Sequence, residues 1–261
     1  DIQLPSGSEN DWHMVWKSSL NGVCLDLPSP WGKTKNSIQP IEVDMTYTAD
    51  DWLKMNFKYL KESWDLDLKD KRWHFYTEQP NWAGDLYYTP QQELIEGKLQ
   101  RVWIDPTQVK TDTYANQPPW EVKDMPNLNI QIDDFRWDNM ELGQLVVQAK
   151  NQKTHWDLEQ LKLTSPNYDL LIHGQYTQHQ LRRFQTDFSG QLMITRLSKT
   201  LETLRITPVA DAKGGTIDFE GHWHESLNQS TLKNLEGEVE VSLKKGNITH
   251  LDRQTEQKIG L

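Results

Sequence analysis

The commonest pattern along the chain is a strict alternation of apolar and polar residues. Within residues 41–47 the odd positions are Ile, Val, Met and Tyr, and the even positions are Glu, Asp and Thr. Successive side chains of a β-strand point to opposite faces, so this period predicts a strand with one buried face. The pattern recurs at residues 23–27, 53–59, 64–68, 128–132, 145–149, 168–172, 217–219 and 239–243. Most of the chain is therefore predicted to be β-strand.

The spacing of these strands indicates how they are connected. They follow one another at intervals of roughly ten to fifteen residues, with turn residues at 68–71 and 244–247, as an antiparallel meander requires. Prolines in residues 28–40 and 113–126 predict irregular loops. One short helix is predicted near residues 198–205, where Leu201 and Leu204 lie on one side and Thr195 or Ser198 is placed to cap the start.

Glycines interrupt the apolar side of the predicted strands. Seven of the 14 glycines share a face with apolar neighbours: Gly84, Gly97, Gly143, Gly174, Gly190, Gly221 and Gly237. Glycine within a strand marks a bend, a bulge or the close approach of another group. The alternative, that these glycines lie at strand ends, fits Gly84 and Gly237 best. The first interpretation predicts a strongly curved antiparallel sheet that forms an elongated hydrophobic groove.

Domain boundaries follow from the second proline-containing loop. We expect an N-terminal β-groove segment over residues 1–112, a proline-rich loop over 113–126, and a C-terminal β-groove segment over 127–261 that continues the first. The chain begins without Met and stops within an apolar pattern at Leu261. We interpret it as a fragment of a longer protein.

Composition and charge exclude several classes of protein. The net charge of -10 and pI near 5.3 argue against nucleic acid as a partner. A single cysteine, Cys24, excludes an internal disulfide and a cysteine-based zinc site. The mean hydropathy of -0.79 argues against a membrane span. The 12 Trp, 8 Tyr and 6 Phe are more aromatic residues than disordered chains carry.

Candidate chemistry is weak. Catalytic and nucleotide-binding motifs are absent, and we expect neither an enzyme nor a cofactor. Glu220, His222 and His224 would share one strand face and are the best candidate metal ligands, but a solvated polar face explains them without a metal, and no fourth ligand can be named. The pairs Asp65/Asp67 and Asp133/Asp134 have a spacing conceivable for a glycosidase, but 38 acidic residues make such pairs inevitable. The tryptophans either stack on sugars or close the ends of a thin core.

Four stretches together carry a family resemblance. They are SLNGVCLDLPSPWGK at 19–33, GQLMITRLSKTLETL at 190–204, GGTIDFEGHW at 214–223 and NLEGEVEVSLKKGNI at 234–248. In this order and spacing they resemble the C-terminal region of a member of the AsmA-like family of Gram-negative envelope proteins. The resemblance implies a periplasmic β-groove that belongs to an inner-membrane-anchored protein, with the anchor upstream of Asp1. It also implies phospholipid as cargo between the two membranes, envelope proteins as further partners, and no catalytic residues.

The groove lining follows from the apolar side of each predicted strand. We expect acyl chains to lie against these residues while the headgroup projects into water. The predicted lining residues are Val23, Leu25, Leu27, Ile41, Val43, Met45, Met55, Phe57, Leu66, Ile130, Ile132, Leu145, Val147, Leu158, Leu163, Leu170, Ile172, Phe188, Leu192, Phe219, Val239, Val241 and Leu243. Two alternatives stay open: a structural or chaperone-like scaffold for envelope protein assembly, and a carbohydrate-binding or glycan-cleaving β-sandwich.

Overall fold

The computed structural model describes residues 11–25, 33–105, 119–179, 183–207, 210–227, 234–244 and 246–248. These residues are mainly β. The strands are β1 (Trp12–Ser18), β2 (Ile41–Thr48), β3 (Trp52–Tyr59), β4 (Glu62–Lys69), β5 (Arg72–Glu78), β6 (Trp82–Thr89), β7 (Leu94–Ile104), β8 (Asn127–Trp137), β9 (Met140–Asn151), β10 (His155–Ser165), β11 (Tyr168–His179), β12 (Arg183–Ile194), β13 (Ala210–Ala212), β14 (Gly215–Trp223), β15 (Glu236–Leu243) and β16 (Gly246–Ile248). The helical elements are α1 (Leu197–Thr203) and the 3₁₀ turns Pro90–Gln92 and Val122–Asp124.

Fourteen of the strands form one sheet in which sequence neighbours pair, in the order β1 to β12 followed by β14 and β15. The short strands β13 and β16 pair with each other instead. The order is linear, so β1 and β15 are its end strands. Bulges interrupt the register between Ala83 and Gly84 and between Leu158 and Leu161, which bends the strands locally. The predicted mainly β fold with a curved, open antiparallel sheet and a short helix is confirmed.

The chain divides into two compact units. The first comprises Asp1–Pro118 with Pro126–Asp133, and the second comprises Pro119–Met125 with Asp134–Leu261. Strand β8 therefore contributes residues to both units. The segment Pro119–Met125, which the sequence places in an irregular loop, belongs to the second unit.

Unit 1 has one apolar and one polar face. On the apolar face Val43 of β2 lies opposite Trp16 and Phe57. Leu66 of β4 and Phe75 of β5, which are paired with each other, lie on the same face. On the other face Glu42 Oε2 is 2.7 Å from Lys17 Nζ, and the carboxylate also accepts a hydrogen bond from a second lysine across the strand. This separation is what strict alternation produces in an antiparallel pair.

Two sequence predictions in or beside the elements need correction. Residues 23–25 form no strand: Val23 is 41% exposed, and Leu25 makes only an isolated bridge to Lys33. The left-handed backbone at Leu20 and Gly22 turns the chain and prevents extended pairing. Leu27 lies outside the described residues. Helix α1 is capped by Arg196 without a side-chain hydrogen bond, rather than by Thr195 or Ser198.

Candidate functional site

The apolar face of unit 2 is built from side chains aligned across neighbouring strands. Leu161, Ile172, Gly190, Phe219 and Val239 occupy one row from β10 to β15. The next row contains Leu163, Leu170, Leu192, Ile217 and Val241, and the row on the other side contains Leu158, Gly174, Phe188, Gly221 and Gly237. The bulge in β10 inserts one residue, which is why Leu158 and Leu161 reach the same face despite their opposite parity.

In these rows, phenylalanine rings pack directly over glycines of the neighbouring strand. A Cβ added to Gly190 would lie 2.6 Å from Phe219 Cζ, and one added to Gly221 would lie 2.7 Å from Phe188 Cζ. Each ring therefore rests directly on the backbone of the neighbouring strand. The close approach of another group, predicted for strand glycines, is confirmed at Gly190 and Gly221. The predicted bulge is found at Gly84, which has a positive φ.

A cavity of about 250 Å³ opens on this apolar face between β10 and β14. Its walls include Trp156, Leu158, Ile172, Phe188 and Trp223, and Gly174 lies between Leu158 and Phe188 in the same row. Ligand cavities are typically concave and mostly apolar with few polar groups, and this cavity fits that description.

One rim of the face is covered by residues Pro119–Met125, which we call the strap. Val122 and Met125 of the strap are buried, and Asn151 Nδ2 donates to the carbonyl oxygens of both residues at 2.6 and 2.7 Å. Trp120 N–H donates to Ser226 Oγ, and Tyr176 Oη donates to Trp120 O at 2.6 Å, while Ser226 and Tyr176 hydroxyls are 3.0 Å apart. These bonds close a ring of donors and acceptors that fixes the strap.

Burial affects the chemistry of Tyr176. Its side chain is only 1% exposed, and removal from water raises the pKa of its phenol above the usual value. The same cause raises the pKa of Tyr168 at the opposite rim, where its hydroxyl donates to Leu142 O at 3.1 Å. Both phenols therefore stay protonated as hydrogen-bond donors at neutral pH.

The opposite rim is closed by α1. Leu197 packs with Ile194 and Ala212, and Leu192, Leu201 and Ile217 lie against this cluster. Thr200 Oγ1 donates to Asn167 O at 3.0 Å, which ties the helix to the turn before β11. The apolar face of unit 2 is thus bordered at both strand ends, by the strap and by the helix.

Most predicted lining residues share the apolar face of their own unit. In unit 1 these are Ile41, Val43, Met45, Met55, Phe57 and Leu66. Ile130 and Ile132 share one side of β8, and Ile132 is buried. In unit 2 they are Leu145, Val147, Leu158, Leu163, Leu170, Ile172, Phe188, Leu192, Phe219, Val239, Val241 and Leu243. Val23 and Leu25 lie in a loop instead. That these side chains contact lipid remains a prediction.

Sequence reasoning overlooked part of the apolar face. Trp12, Met14 and Trp16 of β1 lie on it in register with β2, as do Trp73 and Phe75 of β5. The polar faces of β1 and β5 also carry apolar or aromatic residues, Val15 and Tyr76. These residues weaken the alternation of apolar and polar positions that predicts a strand. Counting Met14 together with Trp12 and Trp16 at period two would have found β1.

Two larger concavities, of about 720 and 570 Å³, lie on the polar face of β11 to β15. Acidic side chains border them, including Asp218, Glu220 and Glu238. Hydrocarbon gains nothing from such a wall because carboxylates keep their water, so the smaller apolar cavity is the better candidate site.

The candidate metal ligands and acid pairs are engaged with their neighbours or kept apart. His224 lies just beyond the end of β14, where its ring packs edge-on against that of His222 with 5.2 Å between centroids, and His222 pairs with Glu236 at 3.3 Å. Among the described residues no three His, Cys, Asp or Glu side chains are placed to hold a metal ion.

The carboxylate pairs contact amides and cations. Asp65 accepts from Asn56 at 2.7 Å, and His74 Nδ1 lies 3.8 Å from Asp67. Asp133 pairs with Lys98 at 3.3 Å and Asp134 with Arg136 at 3.1 Å. Apart from the pair of Asp134 and Arg136, which lies within β8, these are the cross-strand pairs expected on a solvated sheet face.

The fold belongs to a class of open antiparallel sheets, and in unit 2 its apolar face stays partly exposed between the strap and α1. The model of the YhdP protein family matches residues 45–260, more than half of the chain. The chain therefore belongs to the YhdP family, and the AsmA-like resemblance of its sequence is confirmed. No curated protein and no solved structure gives a significant match. Within the described residues no helix has the length and apolar character that a membrane crossing needs.

Proposed function

We propose that this chain is a segment of a lipid-transport protein that shields phospholipid acyl chains along its apolar sheet face. One observation carries the proposal: in unit 2 the rows of apolar side chains stay partly exposed between the strap and α1, and they are all exposed on β15. Val239, Val241 and Leu243 at the end strand are 67%, 56% and 46% exposed. Uncovered apolar surface of this kind marks a binding surface in a folded protein.

The mechanism follows from the cost of exposing hydrocarbon to water. Each CH₂ group of an acyl chain that moves from water to this face gains about 0.8 kcal/mol. The rows continue from strand to strand with similar chemistry, so a chain that slides across them exchanges equivalent contacts. The polar headgroup stays in water above the face. Such movement needs no covalent chemistry, and the proposed role is non-enzymatic and passive in this segment.

The cellular context that we propose follows from the family resemblance of the sequence. AsmA-like proteins, as the sequence resemblance implies, reach from an inner-membrane anchor across the periplasm toward the outer membrane. We propose that this chain is a periplasmic part of such a protein, with phospholipid as cargo and envelope proteins as further partners.

A second candidate is a scaffold for envelope protein assembly. The observation in its favour is β15, an end strand whose residues are all exposed and whose outer edge can accept another strand. A scaffold of this kind binds polypeptide through its backbone and needs no lipid.

Native mass spectrometry of protein purified without detergent distinguishes the two candidates. The conduit predicts co-purified phospholipid that is lost in Val241→Asp, because a carboxylate on the apolar face repels hydrocarbon. The matched control is Glu240→Lys, the next residue on β15 but on the polar face, which should retain lipid. Lipid-free wild type, or equal retention in both variants, would contradict the proposal. Since Val241 is exposed, its replacement should leave the fold intact.

A further inference from the structure

The two ends of the apolar face of unit 2 differ in chemistry. The strap end is formed by a row of side chains paired across β10, β11, β12 and β14, namely Trp156, Tyr176, Thr186 and Trp223. The cavity of about 250 Å³ lies at this row. Tyr176 and Ser226 are each 1% exposed and hydrogen-bonded to Trp120, so the strap backs the row. A hydrocarbon chain that enters from the open face therefore ends at the strap.

The wall of this cavity is apolar. The Thr186 hydroxyl oxygen is buried within the protein, and the Tyr176 hydroxyl donates to Trp120 O. The side chains of Gln175 and Asp187 bond to partners on the polar face of the sheet. A charged or hydrogen-bonding group would lose its water here without replacement, so only hydrocarbon gains free energy in the cavity.

The volume of the cavity fits part of one chain. A dry apolar cavity of roughly 150 Å³ already binds benzene, whereas pockets for whole drug-sized ligands begin at about 300 Å³. With about 250 Å³, this cavity holds several carbons of a single acyl chain and excludes a glycerol unit with two chains. The free end of one chain is the segment that matches both its size and its chemistry.

The apolar face extends from the cavity for the length of one acyl chain. On β11, Leu170 lies six residues from Tyr176, which is roughly 20 Å along a strand. Leu170 pairs with Leu192, which packs against the α1 cluster. The hydrocarbon core of a bilayer is about 30 Å thick, so a chain in one leaflet spans about 15 Å. One chain therefore fits along the strands between the strap and α1.

The α1 end of the face carries positive charge. Arg196, Lys213 and Lys244 are exposed, and the backbone brings them together around Gly214. A Cβ built on Gly214 would lie 3.8 Å from Thr195 O, and Lys244 N–H donates to Gly214 O at 2.9 Å. Ammonium and guanidinium groups complement a phosphate, which the apolar cavity at the other end would reject.

We propose that a phospholipid binds unit 2 in one orientation, with an acyl chain along the strands, its last carbons in the cavity beside the strap, and its phosphate beside the cations at the α1 end. This inference rests on the proposed function and deepens it, because it assigns a direction to the lipid on the apolar face. The strap then serves as the stop for the free end of the chain.

Two single-chain glycerophospholipids of equal chain length, which differ only in the position of a diazirine, test the orientation. One carries the diazirine at the last carbons of the chain and the other carries it beside the ester. Each is bound to the purified protein below its micelle concentration and photolysed, and mass spectrometry identifies the labelled residues. The terminal probe should label Trp156, Leu158 and Trp223, and the label should shift to Leu170 and Leu192 with the ester probe.

Two sets of variants test the two ends separately. Ile172→Trp fills the cavity and should abolish labelling of Trp156 and Trp223 by the terminal probe, whereas Met55→Trp on the apolar face of unit 1 should leave it unchanged. Lys213→Gln combined with Lys244→Gln should weaken binding about two- to fivefold, as exposed ion pairs allow. The control Lys153→Gln, an exposed lysine near the strap, should not.

The labelling of wild type decides the proposal even if a variant fails to fold. The same labelled residues with both probes, or the terminal probe at Leu170 and Leu192, would overturn the orientation and leave the proposed function standing. Unchanged labelling in a folded Ile172→Trp would overturn the cavity as the seat of the chain end, and unchanged affinity of the double lysine variant would overturn the position of the phosphate. If neither probe labels the apolar face of unit 2, the proposed function fails together with the inference.

Discussion

The ring of Phe219 on β14 covers Gly190 on β12, with Phe219 Cζ 2.6 Å from the position a Cβ of Gly190 would take. Phe188 and Gly221 repeat the arrangement in the opposite direction between the same two strands. The two phenylalanines lie 6.3 Å apart between ring centroids and share a tilted contact. At each glycine the apolar face lacks a side chain, and the phenylalanine ring of the neighbouring strand occupies that position.

Gly190→Ala should destabilise unit 2 by about 1–3 kcal/mol, because the methyl group would meet Phe219 and the backbone oxygen of Leu171. Urea unfolding followed by circular dichroism measures this as a lower midpoint with an unchanged slope. The control is Ser189→Ala, the exposed neighbour on the polar face, which should leave the midpoint within error. An unshifted midpoint for Gly190→Ala would show that the ring does not fill this position.

Lys33→Met should loosen the loop between β1 and β2. The Lys33 ammonium is buried and donates to the carbonyl oxygens of Leu20, Val23 and Thr34 at 2.7, 2.7 and 3.0 Å. Methionine fills similar space but leaves these acceptors without a partner, at a cost of about 1–3 kcal/mol. Hydrogen exchange of this loop should accelerate in Lys33→Met and stay unchanged in the control Lys35→Met, whose side chain is exposed. Equal exchange in both variants would argue against the buried ammonium as the anchor.

Stability should fall at alkaline pH through Tyr176. Its folded-state pKa is raised by burial above the unfolded value of about 10, so the unfolded state loses its proton first. The contribution is therefore complete below pH 10 and is lost as pH rises further. Tyr176→Phe should be less stable than wild type at neutral pH because Trp120 O loses its donor, and the difference should narrow above pH 10. Chemical denaturation at several pH values checks this, and a difference that is constant with pH would refute it.

The strands and their faces could be predicted from sequence because alternation is a local signal. Residues 41–47 and 53–59 became β2 and β3 with the expected apolar sides. Strand β5 was not predicted, since aromatic and histidine residues occupy both of its faces and hide the period. Residues 23–25 show the alternation yet form no strand, because Lys33 and the turn at Gly22 hold them in a loop.

The candidate site depends on contacts between residues that are distant in sequence, and a local hydrophobic pattern does not reveal such contacts. Tyr176 and Trp120 are 56 positions apart in the chain, and the strap that they anchor appears in the sequence only as a proline-containing loop. The bulge that brings Leu158 and Leu161 to one face is likewise visible only in the pairing of β10 with β11. Gly174 could be recognised as unusual from its position among apolar residues, but the close approach of Asp187 O and Phe188 Cβ to it depends on the strand register.

The most direct test of lipid binding by the apolar face is site-specific photo-crosslinking at adjacent residues of opposite orientation. A photoreactive amino acid is placed at Val241 or Glu240 on β15, and at Leu66 or Asp65 on β4, in protein within intact cells. Phospholipid should crosslink at positions 241 and 66, which lie on the apolar faces, and not at 240 and 65. Equal crosslinking at both members of each pair, or none at positions 241 and 66, would contradict the assignment of the apolar face as the lipid-binding surface.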